Sequence, residues 1–267
     1  PGTWKIANVI GQGSFGAIYL GLNMNTGELM AVKELPIRRA RDVAELRQEI
    51  DILATLEHPN IVKYLGAEVK DADDAGGPAL YIMLEYVPGG SVRQLLEAFE
   101  KFSESVVRIY GNQILKGLAY LHDNAICHRD IKGANILLDE KGLVKLADFG
   151  ASCNYELDAC AKILVSVQAG TPYFMAPEIM ANAPYAPAAD VWSFGGVVLQ
   201  MATGHFPWLE VKRTSTADLF AYVTTHNVAP ACPTHFSAEL HDFLGAIFDR
   251  DADRRPAAAA LLRHAFL

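Results

Sequence analysis

Between Trp4 and Val87 apolar and polar positions alternate in short runs, and Gly, Asn and Thr separate the runs. WKIANVIG (4–11), GAIYLGLN (16–23), ELMAVKEL (28–35) and ALYIMLEYV (79–87) read as β-strands rich in β-branched and aromatic residues. Between the third and fourth, Val43, Leu46, Ile50 and Leu53 recur at spacings of three, four and three, which predicts a helix over Asp42–Leu56 with one buried face. KDADDAGGPA (70–79) is acidic and contains Gly, as expected of a solvated hairpin connection. After PGGS (88–91) the period lengthens. Glu104–His122 presents Val107, Ile109, Tyr110, Ile114, Leu118 and Leu121 as one apolar face, and Asp190–Thr203 is so apolar that it predicts a helix buried all round. RRPAAAALLRHAFL (254–267) predicts a closing helix begun at Pro256, a favoured first-turn residue. These patterns give an α+β chain: a β-rich lobe over 1–84, a hinge at 85–91 and a helical lobe over 92–267.

Composition narrows the class. At 267 residues, 51% hydrophobic and 20% charged, the chain is long enough to bury a large core without disulfide or metal staples. A net charge of −8, from 23 basic and 31 acidic residues, disfavours nucleic acid or anionic membrane as the main partner. The four cysteines show no metal-binding spacing and read as reduced thiols of a cytoplasmic protein. No run reaches the ~18 apolar residues of a membrane span, and the first residues lack the features of a signal peptide, as expected of a domain cut from a longer chain.

The candidate chemistry starts at IGQGSFGAIYL, where Gly11, Gly13 and Gly16 form GxGxxG. Dinucleotide-binding proteins share this spacing, and Glu34, eighteen residues beyond Gly16, could serve as their ribose acid. Two alternating segments follow Gly16, however, where that fold needs a helix. A glycine loop between antiparallel strands, its N–H groups facing phosphate oxygens, fits better. Lys33 lies inside an apolar strand, where a lysine is ordinarily solvent-facing. Glu49 shares the inward face of the predicted helix and needs a cation, so it is the first candidate partner, with Glu45 one turn earlier as the second.

HRDIKGANILLDEKGLVKLADFG (128–150) sets Asp130, Asn135 and Asp148 beside apolar runs. Turn chemistry alone accounts for any one of them. Together they offer hard oxygens for magnesium from Asn135 and Asp148, and leave Asp130 to orient a hydroxyl.

The ordered set GxGxxG, AVK, helix Glu, HRDxxxxN, DFG and APE (176–178) resembles the eukaryotic serine/threonine protein kinase family over nearly the whole chain. HRDIKGANILL, GTPYFMAPE and EIDILATLEHPNIVKYLG look most like the mitogen-activated protein kinase kinase kinase group, while the p21-activated and germinal-centre groups share much of them. The resemblance implies a bilobal kinase fold, ATP and Mg2+ as cofactors, and protein substrates that are downstream kinases. Upstream activators or regulatory domains would lie outside this stretch. Lys33 would hold the α- and β-phosphates and pair with Glu49, Asp130 would take the hydroxyl proton beside Lys132, and Asn135 and Asp148 would hold magnesium. The Glu85 carbonyl and Val87 N–H would pair with adenine in front of Leu84, between Ile10, Ile18, Ala31 and Leu137. Leu53, Tyr64, His128 and Phe149 would form an apolar column between the lobes. Asp190 would anchor the catalytic loop, and Glu178 would pair with Arg255. Ser91 stands where many members carry an acid for the ribose. Lys132 and GTPYFMAPE match the serine/threonine branch, with Thr171 expected to touch the catalytic loop. Arg129 is expected to read a phosphate on Ser166. The same fold also serves pseudokinase scaffolds, and the full set of motifs weighs against that alternative.

Overall fold

The alternating runs pair into a five-stranded antiparallel sheet in the computed structural model, which describes residues 3–12, 16–37, 40–71, 77–156, 171–184, 186–209, 211 and 215–267 (backbone alone for 40–46, 48, 71 and 171). Its strands are β1 (Trp4–Gln12), β2 (Ala17–Asn23), β3 (Leu29–Pro36), β4 (Tyr64–Asp71) and β5 (Pro78–Glu85), in the order β1-β2-β3-β5-β4. A hairpin thus follows the glycine run, with Gly11 opposite Ile18, and a dinucleotide-binding turn is ruled out. The Asn23 side chain accepts the N–H groups of Asn25 and Thr26 and so closes the next hairpin.

The sequence reading misses β4. A register shift between Tyr64 and Gly66 breaks its alternation. The acidic connection is correspondingly shorter than 70–79, since β4 runs to Asp71 and β5 starts at Pro78.

The predicted first helix is α1 (Ala40–Thr55), which packs on β4 and buries Glu49, Ile52 and Leu53. Buried side chains beneath the sheet, including Leu35, Leu53, Ile61 and Ile82, are continuous with the core of the helical part. A smaller apolar cluster of Trp4, Met30, Val32, Ala79, Tyr81 and Met83 covers the other face.

The helical part begins at Ser91, whose side chain caps α2 (Val92–Phe99) in a reciprocal capping box with Gln94. The long helix α3 (Glu104–Asp123) buries Val107, Ile114, Leu118 and Leu121. Ile109, expected on the same face, is instead 55% exposed, because its position lies about 200° around the helix from Val107. Next come the short strands β6 (Ile126–Cys127), β7 (Ile136–Leu138), β8 (Val144–Leu146) and β9 (Cys153–Asn154), with β6 paired to β9 and β7 to β8. After α4 (Pro177–Met180), the helix α5 (Pro187–Thr203) is buried at every residue from Ala189 to Ala202, as its composition predicts. The remaining helices are α6 (Thr216–Thr225), which packs on α4, α7 (Ala238–Ile247), which packs on α5, and α8 (Ala258–Leu261), which packs on α3.

The closing helix is shorter than predicted. It spans Ala258–Leu261 behind an N-cap at Ala257, so Pro256 lies outside it, and the chain ends in turns. Arg255, just before this helix, is buried. It grips Glu178 through two hydrogen bonds of 2.7 and 3.0 Å, and its guanidinium lies 5.1 Å from the Trp192 ring. Among the described residues, no helix is long and apolar enough to cross a membrane.

Candidate active site

Register on the sheet fixes the first half of the site. Lys33 stands between Ile18 on β2 and Ile82 on β5, and only 4% of it is exposed. A dry ammonium requires counter-charge, and it has two: Glu49 Oε1 at 2.7 Å and Asp148 Oδ1 at 2.9 Å. The side chain of Glu45, the competing partner, lies outside those described. Burial alone would lower the Lys33 pKa, but the charges of Asp148 and Glu49 and hydrogen bonds to both raise it above the usual lysine value. Burial likewise pushes Asp148 upward, yet the Lys33 charge and hydrogen bond, then His128 and Lys132, hold it below the usual carboxylate range. The two shifts agree: both groups stay ionised.

The catalytic-loop candidates form the second half. Asp130 Oδ2 accepts from Lys132 Nζ at 2.7 Å and from Asn135 Nδ2 at 2.8 Å, and the same amide also donates to the Asp130 carbonyl at 2.9 Å. Asp130 Oδ1 is buried and accepts no hydrogen bond among the described residues. With its nitrogen engaged, Asn135 has its amide oxygen left for another partner. Asp148 keeps its second carboxylate oxygen, Lys33 being bonded to Oδ1. One amide oxygen and one carboxylate oxygen suit magnesium, which takes few ligands from protein and the rest from water and phosphate. Among the described residues there is no cluster of three His, Cys, Asp or Glu side chains, as a fully protein-bound ion would need.

Asp190 lies beneath this loop with no solvent exposure. Its carboxylate accepts the amides of His128 and Arg129, both at 2.9 Å, and contacts His122 Nε2 at 3.0 Å. This clamp holds Arg129 at φ 69°, and Asp148 across the site adopts φ 64°. Both are left-handed conformations that cost a non-glycine residue on the order of 1–2 kcal/mol. The His128 and Phe149 rings lie 4.9 Å apart. Leu53 belongs to the same continuous core, and Tyr64 packs against it.

The nucleotide-side candidates line the sheet edge facing this cluster. Gly16 packs so closely on β3 that a Cβ there would meet the Glu34 carbonyl at 1.7 Å, whereas at Gly11 it would make only ordinary contact with Ile18. Close packing requires glycine at 16, and Gly11 is free to face a ligand. Gly13 lies outside the described residues. Ile18, Ala31 and Leu137 are half-buried, Ile10 is exposed, Val87 is buried, and Leu84 pairs with Ala31 across the sheet. Ser91, which stands where many members carry an acid for the ribose, is committed to capping α2. Ser166 also lies outside the described residues, as does the side chain of Thr171.

Two contacts are missing from the sequence reading. Asp148 shares Lys33 with Glu49, and Lys145 on β8 reaches Glu85 at 3.0 Å. Lys145 carries the same mark as Lys33, a lysine flanked by apolar residues in a strand.

A five-stranded antiparallel sheet with one helix that carries a Lys–Glu pair, joined to a mainly helical part that carries an HRD loop, defines a protein kinase. The protein kinase domain family matches residues 4–267, and the chain belongs to it. The resemblance to mitogen-activated protein kinase kinase kinases is borne out among its relatives. Mitogen-activated protein kinase kinase kinase A of Dictyostelium discoideum is 42% identical over 271 residues, covering 99% of this chain and 28% of that protein. Mitogen-activated protein kinase kinase kinase 2 of Arabidopsis thaliana is 42% identical over 275 residues, 100% of this chain and 41% of its own. The Homo sapiens mitogen-activated protein kinase kinase kinase 3 is 41% identical over 271 residues, 100% of this chain and 42% of its own. The chain therefore spans less than half the length of these relatives. The family works with ATP and magnesium.

Proposed function

We propose that this chain transfers the γ-phosphate of ATP to serine or threonine hydroxyls of proteins, and that its substrates are kinases one step down a mitogen-activated cascade in the cytoplasm. The observation that carries the reading is the state of Asp130. One carboxylate oxygen is pinned by Lys132 and Asn135, and the other is buried and open. A degraded, scaffold-only site has no use for a held carboxylate with an acceptor to spare.

In this reading residues 1–84 form the nucleotide lobe, 85–91 the hinge and 92–267 the catalytic lobe. The Glu85 carbonyl and Val87 N–H take the adenine edge, and the partly wet apolar side chains Ile10, Ile18, Ala31 and Leu137 take its faces. Backbone N–H groups along Gly11, Gly13 and Gly16 cover the phosphates. Lys33, oriented by Glu49, donates to the α- and β-phosphates. Asn135 and Asp148 supply oxygens for magnesium, which when bound neutralises charge on the phosphate oxygens. Asp130 Oδ1 receives the substrate hydroxyl proton, while Lys132 stays on Oδ2 and offers positive charge toward the transferred group. Arg129 reads a phosphate on Ser166, and Thr171 contacts the catalytic loop.

The test is transfer from labelled ATP, with magnesium, to a generic basic protein and to the chain itself, for wild type and Asp148→Asn. Incorporation on serine and threonine that falls at least about 100-fold in the variant is expected. Nucleotide binding without any transfer by wild type, even after treatment with candidate upstream kinases, would favour a scaffold.

A further inference from the structure

We infer that Lys145 is a positioning residue for the nucleotide: through its ion pair with Glu85 it sets the adenine-recognising edge of the cleft against the cleft floor at Leu137. The inference rests on the roles proposed above for Glu85 and Leu137.

Lys145 is the middle residue of β8, between the fully buried Val144 and Leu146, and is itself only 8% exposed. Strand alternation turns it to the face opposite those two, where Glu85 Oε1 meets its ammonium at 3.0 Å. The other Glu85 oxygen accepts the Lys63 N–H at 3.0 Å, and the Glu85 N–H donates to the Lys63 carbonyl at 2.9 Å. Both carboxylate oxygens and the amide of Glu85 are thus tied down. The direction of its peptide, and hence of its carbonyl, is fixed by these ties and by the pairing of Glu85 with Met30.

The same lysine is the cross-strand partner of Leu137. One side chain therefore links the residue proposed to recognise the adenine edge to the residue proposed to lie under its ring. Further along, the hinge meets the β7–β8 hairpin through backbone alone. Leu138 N–H donates to the Gly90 carbonyl at 2.8 Å, Ser91 bridges Leu137, and a Cβ on Gly89 would come within 2.4 Å of the Leu138 carbonyl. The hinge is thus fastened to the hairpin at both ends. The end at Glu85 depends on a side-chain charge, because neutralising Lys145 leaves the Glu85 carboxylate held by the Lys63 N–H and unties it from the hairpin.

The experiment compares wild type with Lys145→Met, which keeps the buried stem but removes the charge, and with Lys145→Arg, which keeps the charge. The readouts are displacement of a fluorescent ATP analogue by MgATP, the KM for ATP, kcat and the melting temperature. Lys145→Met is expected to raise both the Kd and the KM for ATP about five-fold, with kcat within about two-fold of wild type. Lys145→Arg is expected to restore them. Glu85→Gln, approached from the other partner, is expected to weaken ATP binding similarly, and the double variant to be no worse than either single one. A lower melting temperature with unchanged ATP affinity in Lys145→Met, or in Glu85→Gln should the first variant not fold, would overturn the inference and leave the kinase reading intact. Wild type that binds no nucleotide would overturn both.

Discussion

Asp130→Ala is expected to lower kcat by about 10²- to 10⁴-fold while ATP binding stays close to that of wild type. The separation follows from where the side chain is held. Lys33, Glu49 and Asp148 form one ion cluster, and Asp130 belongs to another, with Lys132 and Asn135. Removing the Asp130 carboxylate takes away the only group placed to accept the hydroxyl proton in the proposed mechanism, and it leaves the phosphate-facing lysine with both its partners. Asp130→Asn sharpens the measurement. Its amide oxygen can still accept from Lys132 but cannot take a proton, so a comparable loss of kcat would assign the effect to proton transfer. Loss of ATP binding in both variants would instead make Asp130 an organiser of the cleft. Single-turnover transfer alongside nucleotide titration distinguishes these results.

The second large effect is expected at Asp190. Asp190→Asn puts an N–H2 group where an acceptor is needed in a fully buried site, against the Arg129 N–H if it replaces Oδ1, or against the His128 N–H and His122 if it replaces Oδ2. Left without an acceptor, a buried donor costs of the order of 1–3 kcal/mol, and breaking a buried charged network costs about 3–5 kcal/mol. A fall in melting temperature of roughly 10 °C is expected for a chain of this size, and transfer activity should fall with it, because Arg129 keeps its left-handed backbone only while the clamp is made.

The pH dependence carries its own sign. Burial alone would raise the Asp190 pKa, but the His122 hydrogen bond, the charges of His122 and His128 and the Arg129 amide bring it below the usual carboxylate value. A depressed carboxylate stabilises the fold above its unfolded value of about 3.9 and loses that contribution as pH falls through the folded value. The gap between wild type and Asp190→Asn should therefore persist from neutral pH down to about 4 and close only below it. Melting curves that converge already near pH 6 would show that the stabilising group is not this carboxylate.

What the sequence makes legible follows physical locality. Lys33 and Glu49 can be paired on paper because strand and helix periodicity each assign one face, and a dry charge demands the other. α5 is evident because only Ser193 and Gln200 interrupt its apolar run from Val191 to Ala202. β4 escapes because a register shift spoils its alternation, and Ile109 is misplaced because its hydrophobicity outweighs its angle. The third partner of the Lys33 cluster depends on Asp148, 115 positions away, adopting a left-handed backbone, and no local pattern encodes that closure. Ser91 departs from the acid that many kinases carry at this place, and its capping role depends on the helix that follows it. The residue aligned with a ribose contact in many kinases here serves the first turn of a helix.

Helix α5 bears on how this chain can change over time. Every residue from Ala189 to Ala202 is enclosed, so the helix has no wet side on which substitutions could accumulate unnoticed. Its neighbours meet it at close range: a methyl on Gly195 would meet Ile247 at 2.4 Å, and one on Gly196 would meet Phe174 at 2.9 Å. A surface helix shows a stripe of intolerance repeating every 3.6 residues in a saturation scan. Across α5 the scan should show an unbroken band, and sequence drift in this half of the molecule is left to the connections and to the wet faces of the other helices.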